Sequence, residues 1–249
     1  LTNVLTDANL NKNALSVGSY DVKLETSGGI VTGLTNANYQ VKLAEKLGKV
    51  VVSPRRINVT IGDAQGYYGE TPDMSKVNIT VLEQWTAGDV RDVLGLELNP
   101  NATATANVGS YQITATKTNA NYDVIFRNGW YTVRPLNVSV ALEQGGGVYG
   151  GNIQDVRITH VYKIGDDGSK TDIGVDALDF TYRYTGTTYG GSNVKQAFAP
   201  TLAGQYIASI VSIKDSDRYN KSNYNLDLNA GEISVPFTVS KKSVDAGRL

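Results

Sequence analysis

The chain has 249 residues, 41% of them apolar and 19% charged, and 23 Lys and Arg against 24 Asp and Glu leave a net charge of −1. That is enough chain for about one to three cores, and it offers no basic footprint for nucleic acid. With no cysteine and one histidine, disulfide frameworks, thiolate chemistry and Cys/His zinc sites are excluded by counting.

From the N-terminus, Val17-Gly18-Ser19-Tyr20 and the Asn38-Tyr39 pair come first, and a valine-rich strand at Val50 to Val52 closes on Pro54. Ile57, Val59 and Ile61 then alternate with polar residues, which predicts a strand with those three on one face. Tyr68-Gly69 follows, and a second strand is predicted over Val77 to Val81. The only stretch with a helical pattern is Thr86 to Leu94, with Thr86 placed to cap and Val90, Val93 and Leu94 sharing a face. Strands are predicted next at Tyr111 to Ala115, Tyr122 to Phe126 and Trp130 to Val133. Asn128-Gly129 between the last two is the strongest short hairpin signal in the chain, because a type I′ turn needs positive φ at both central residues.

Leu136, Val138, Val140 and Leu142 renew the alternation. Gly145-Gly146-Gly147, with no helix after it, reads as a turn rather than a phosphate loop, and Tyr149-Gly150 follows. A weaker helical counterpart lies near Val175 to Leu178. Phe180, Tyr182 and Tyr184 mark an additional strand, and Ala203-Gly204-Gln205-Tyr206, Asn223-Tyr224 and Pro236 complete the chain's recurring signals. No apolar run approaches the ~18 residues of a membrane-spanning helix, and the residues after Leu1 show neither a charged n-region nor an apolar h-region.

These signals recur in a fixed order. Pro54 and Pro135 are 81 residues apart, as are Tyr68-Gly69 and Tyr149-Gly150, and Pro236 lies 101 residues after Pro135. Self-similarity at such a period points to a modular array. The prolines divide the chain into residues 1–54, the second half of a repeat; 55–135, a complete repeat; 136–236, a longer complete repeat; and 237–249, the start of a further repeat or a tail. Each complete repeat is expected to be a small, mostly β, two-layer module, β-grasp-like with at most one short helix, with an Ig-like β-sandwich as the alternative. Ser53-Pro54 leads from one strand into the next without a flexible linker, so neighbouring repeats are expected at a restricted angle.

Candidate chemistry is sparse. Alternation places His160 with Ile158 and Tyr162 on an apolar face, where a histidine is structural rather than a general base. Asp166-Asp167-Gly168 through Asp172 faintly resembles a calcium loop, but it lacks a later bidentate acid and contains Lys170, so an Asp-Gly hairpin turn is the better reading. Asp215 and Asp217 make a weaker case, and no motif nominates a carboxylate pair for glycoside hydrolysis. Neither catalytic residues nor a cofactor or metal site is expected. Trp85, Trp130 and Tyr189 are the candidate ligand-contact aromatics, since exposed rings stack on sugars. Tyr68, Gly69, Tyr149 and Gly150 are assigned to a structural motif.

Taken together, Tyr68-Gly69-Glu70 and Tyr149-Gly150-Gly151, the Gly-Ser-Tyr or Gly-Gln-Tyr strands, the Asn-Tyr pairs and the closing Val-Arg-Pro or Val-Ser-Pro resemble the bacterial extracellular MBG domain of the YGX type. The resemblance covers nearly the whole chain. It implies tandem modules of a large secreted or surface-attached bacterial protein: a structural stalk or weak multivalent adhesion segment with no enzymatic activity. Its partners would be neighbouring repeats and a host or environmental glycan or protein, with neither nucleic acid nor membrane insertion. The alternative is a carbohydrate-binding accessory region of an extracellular enzyme.

Overall fold

The structure, a computed structural model, describes residues 16–21, 26–27, 30–31, 48–228, 233–245 and 247. The Asn38-Tyr39 pair lies outside the described residues. Within the N-terminal piece, β1 (Gly18–Asp21) pairs antiparallel with β4 (Lys49–Val52), and β2 (Thr26–Ser27) with β3 (Ile30–Val31).

The second repeat begins with β5 (Arg55–Ile61), whose alternation buries Ile57, Val59 and Ile61 as the sequence predicts. The chain continues as β6 (Ala64–Tyr67), β7 (Ile79–Val81), α1 (Val90–Leu94), β8 (Leu96–Asn99), β9 (Gly109–Lys117), β10 (Tyr122–Arg127) and β11 (Gly129–Arg134). One sheet has the order β10-β5-β7 and the next β6-β11-β9-β8. The first strand of the repeat runs parallel to the last in both, β5 with β10 and β6 with β11, and antiparallel to its successor β7. A parallel first and last strand, with a short helix between β7 and β8, is β-grasp-like connectivity; an Ig-like sandwich is built from antiparallel sheets.

The helix starts at Val90 and is capped by Asp89, not Thr86: the Asp89 carboxylate accepts the amides of Arg91 and Asp92 at 2.8 and 3.2 Å. Gly88, at φ +111, turns the chain away from a helical path just before that cap. Asn128-Gly129 is not a hairpin turn. The strands on either side pair in parallel with β5 and β6, and a Cβ on Gly129 would lie 2.3 Å from the Gly62 carbonyl oxygen. Glycine is therefore required by the close approach of two chain bends, at 62–63 and 128–129, where both parallel strands leave one sheet for the next.

The third repeat renews this plan with β12 (Leu136–Glu143), β13 (Gly145–Val148), β14 (Ile153–Gln154), β15 (Arg157–Ile164), β16 (Lys170–Asp172), β17 (Phe180–Thr188), β18 (Asn193–Gln196), β19 (Gly204–Ile213), β20 (Tyr224–Leu226) and β21 (Ser234–Ser240). Its sheets have the orders β16-β15-β12-β20 and β14-β13-β21-β19-β17-β18, again with parallel β12/β20 and β13/β21 pairs. The added length goes into the long β17 and its hairpin with β18. No helix forms at Val175 to Leu178: Gly174, at φ +91, starts a tight turn closed by Ala177 N–H on its carbonyl. Val138, Val140, Val161, Leu178, Phe180, Ile210 and Ile213 form one core cluster, and Val156, Tyr184, Tyr206, Ala208, Phe237 and Val239 a second.

Gly145-Gly146-Gly147 is not a turn but strand β13, and side chains there would strike the backbones that flank it, as at Gly146, whose Cβ would lie 2.4 Å from the Thr238 carbonyl oxygen. Pro236 is no boundary, because it lies inside β21 opposite Ile207. Phe237 and Val239, assigned by the proline period to a following repeat, are fully buried in the third. The parallel register sets Phe237 at Gly145, as Tyr131 is set at Ala64, and Gly145 is 81 residues after Ala64. Phe237 therefore occupies the position of Tyr131, and the repeat closes at Ser240.

By contact density the chain separates into two compact units: residues 1–63, 74–99 and 112–129, and residues 64–73, 100–111 and 130–249. Each unit draws on more than one sequence repeat. Among the described residues no helix is long and apolar enough to cross a membrane.

Candidate functional site

The three recurring tyrosine motifs each resolve into one device. In Tyr68-Gly69-Glu70, Gly69 has φ +88 and Glu70 N–H donates to Tyr67 O at 3.1 Å; in Tyr149-Gly150-Gly151, Gly150 has φ +68 and Gly151 N–H donates to Val148 O at 2.9 Å. Positive φ at the third residue of a turn is the type II requirement for glycine. Both turns are pinned to the end of the closing strand, Tyr68 N–H to Arg134 O at 2.8 Å and Tyr149 N–H to Ser240 O at 2.9 Å. Tyr68, Gly69, Tyr149 and Gly150 thus belong to paired turns.

The Gly-x-Tyr strands share a second device. Tyr20, Tyr111 and Tyr206 donate their hydroxyls to the carbonyl oxygens of Ser16, Asn107 and Leu202, four residues upstream in each case, at 2.7, 2.7 and 2.8 Å. The hydroxyl holds the strand entry against the ring and satisfies a carbonyl outside the ladder.

The Asn of each described Asn-Tyr pair reaches into the repeat before its own. Val17 N–H donates to Asn121 Oδ1 at 2.7 Å, and Val108 N–H donates to Asn223 Oδ1 at 2.9 Å. Asn223 is 1% exposed and also donates through Nδ2 to Asn107 Oδ1 at 2.8 Å. Asn220 caps the 3-10 turn that delivers it, accepting Ser222 N–H at 3.0 Å. Tyr224 meets the Tyr68 ring edge-on at 5.5 Å and the Tyr219 ring at 5.8 Å. Beside this contact is a polar crevice of about 210 Å3 lined by Tyr67, Glu70, Arg134, Lys163 and Asp166. The Tyr67 hydroxyl donates to Asp166, which raises its pKa above the ordinary tyrosine value, and Lys163 pairs with Glu70 at 3.7 Å. The Tyr67–Asp166 and Lys163–Glu70 contacts tie the two sides of the crevice together, so its chemistry is that of a fastening.

At the first junction Trp85 is half-buried. Its indole donates to Gly88 O at 2.7 Å, and its ring lies 5.4 Å from that of Tyr122. Trp130, on the outward side of β11, is 50% exposed; Tyr189, after β17, is 47% exposed with Lys241 Nζ 5.1 Å above its ring. The three aromatics thus lie in three separate parts of the chain: Trp85 between β7 and α1, Trp130 in β11, and Tyr189 in the turn between β17 and β18.

His160 is not on the apolar face. The β12/β15 register slips at Ala141/Leu142, so that Ile158 faces Leu142 while His160 faces Ala141. This bulge resets the alternation and turns His160 outward, stacked on Tyr162 and 3.8 Å from Asp172. Asp166-Asp167-Gly168 forms a five-residue hairpin loop between β15 and β16, wider than a two-residue Asp-Gly turn. Hydrogen bonds from the Ser169 side chain and from Ser169 N–H, the latter at 2.9 Å, lower the pKa of the Asp167 carboxylate. Asp215 pairs with Lys221 at 2.8 Å. Among the described residues no group of three or more His, Asp or Glu could hold a metal ion.

Residues 57–132 match the family model of the MBG domain (YGX type). The match runs from Ile57 in β5 to Thr132 in β11, so it takes in the second repeat from its first strand to its last. No curated protein and no solved structure gives a significant match. The third repeat shares the second repeat's parallel pairs, with β12/β13 in the places of β5/β6 and β20/β21 in those of β10/β11. The Asn-Tyr pairs recur in the sequence, but the bonds their asparagines make to the preceding repeat are not legible there. Their only sequence signal is that each described Tyr opening a late parallel strand is preceded by Asn.

Proposed function

We propose that this chain is a structural repeat segment of a large bacterial secreted or cell-surface protein, acting as a stalk or weak multivalent binder and performing no catalysis. The observation that carries this reading is the recurrence of the junction bond, Val17 to Asn121 and Val108 to Asn223, at equivalent places in successive repeats. A repeat whose recurring geometry serves to hold the next repeat has a mechanical task. The MBG domain match over 57–132 supports the same reading and the extracellular setting.

Pulling the 249-residue chain from its ends tests it. Residues 55–135 and 136–240 should unfold in separate force peaks with gains of about 280 and 370 Å of extended chain, at ~3.5 Å per residue. Smooth extension without peaks would refute a mechanical role. Hydrolase screens should show no turnover, and glycan arrays only weak binding that grows with repeat number. Tight one-to-one binding to a single sugar, lost in Trp85→Ala, Trp130→Ala or Tyr189→Ala, would replace the stalk with the carbohydrate-binding alternative.

A further inference from the structure

The third repeat exposes apolar side chains along one edge: Tyr149 is 48%, Tyr189 47%, Leu202 54% and Val148 44% exposed. Hydrogen bonds place them together. Tyr149 N–H is bound to Ser240 O, the next residue Lys241 lies over Tyr189, and Tyr189 N–H is bound to Ala203 O at 2.8 Å.

This edge has a counterpart in the second repeat. Tyr149 stands where Tyr68 does, in the same turn on the same strand end. Leu202 stands where Asn107 does, each accepting a tyrosine hydroxyl from four residues downstream, and Ala203 stands where Val108 does, next to the glycine that opens the strand. In the second repeat those positions are covered: Asn223 takes the Val108 amide and Tyr224 packs on Tyr68.

We propose that the Tyr149–Leu202–Ala203 edge is a docking surface for a further module of this same fold, engaged through that module's Asn-Tyr pair. The Asn Oδ1 accepts the Ala203 amide, and the tyrosine ring meets Tyr149 edge-on. The chemistry of the edge also selects among modules. Where the second repeat offers Tyr67, Glu70 and Asn107 to the polar Asp166, Lys163 and Asn223, this edge offers Val148, Gly151 and Leu202. Its partner is therefore a module whose docking side is apolar, like that of residues 55–135, where Trp85 flanks Asn121-Tyr122. The inference rests on the modular reading above and adds to it a specific surface and partner.

The test extends the chain in register. Lys241 takes the place of Pro54, so residues 1–241 are continued directly into a second copy of 55–249. Amide exchange at Ala203 should slow at least tenfold relative to the 249-residue chain, and the resonance of fluorotyrosine at Tyr149 should shift. Asn121→Ala in the appended copy alone should abolish both effects. Leu202→Glu should do the same in the extended chain while leaving exchange of the third repeat's core amides unchanged in the 249-residue chain. Equal Ala203 exchange in the two chains, with the appended copy shown to be folded by its own core protection, overturns the proposal. So does protection that survives Asn121→Ala. Either failure would leave the force peaks of 55–135 and 136–240 unaffected, so it would not be confused with failure of the stalk reading.

Discussion

Replacing Asn223 by alanine tests the junction most directly. The side chain is 1% exposed and makes two hydrogen bonds, accepting Val108 N–H at 2.9 Å and donating to Asn107 Oδ1 at 2.8 Å. Its backbone N–H bond to Asn220 O does not depend on the side chain. A hydrogen bond contributes a net ~1 kcal/mol, and a partner left unsatisfied and dry costs about 1–3 kcal/mol. Val108 and Asn107 are exposed enough for water to replace the lost partner in part, so the two losses together should come to about 2 kcal/mol. That corresponds to a roughly 30-fold faster exchange of the Val108 amide, since ~1.4 kcal/mol is tenfold. Urea unfolding followed by Trp130 fluorescence should show the matching loss of stability. Asn223→Asp keeps the acceptor and should keep most of the Val108 protection. Asn225→Ala, which removes an exposed bond to Asn137 at 2.8 Å, is the control and should cost less than about 0.5 kcal/mol. If Asn223→Ala costs no more than that control, or leaves Val108 exchange unchanged, the asparagine does not fasten the junction.

Phe237→Ala should destabilise the third repeat by ~3–5 kcal/mol in urea melts, because the ring is fully buried and meets Tyr184 at 5.1 Å; a cost below about 1 kcal/mol would take Phe237 out of the closing strand. Gly129→Ala should cost more than ~1–3 kcal/mol, since its Cβ would meet backbone oxygen rather than a movable side chain, and an unchanged melting curve would refute the paired bend. Ser139→Ala should be neutral or stabilising by up to about 1 kcal/mol, because the buried Ser139 hydroxyl has no hydrogen-bond partner among the described residues; a clear loss of stability would mean the hydroxyl is satisfied in solution. The third repeat should also be alkali-sensitive. Burial, then the hydrogen bond to Asp155, raises the Tyr184 pKa above the ordinary ~10, so this tyrosine's contribution is complete below pH ~10 and lost as pH rises toward the folded value, by up to ~1.4 kcal/mol per pH unit. Tyr184→Phe should flatten that slope, and a stability curve flat from pH 9 to 12 would contradict it.

Local pattern determined a good deal of this protein. The two-residue alternation of Ile57, Val59 and Ile61 needs only a strand with one buried face, and their burial follows from it. The 81-residue recurrence of Tyr-Gly reflects a turn whose third residue needs positive φ, a requirement confined to four neighbouring residues and hence readable from them. Tertiary structure decided what depends on distant partners. Asn128-Gly129 has the residues of a hairpin, but the strands beside it gain more from parallel pairing with β5 and β6 than from pairing with each other. His160 faces outward because a bulge opposite Ala141/Leu142 shifts the alternation by one residue, and Pro236 sits within a strand although proline reads as a boundary. The role of Asn121 and Asn223 is a contact across 104 and 115 residues of sequence. No window along the chain contains both ends of such a bond, so only the fold, by bringing one repeat's strand entry to the next repeat's asparagine, reveals it.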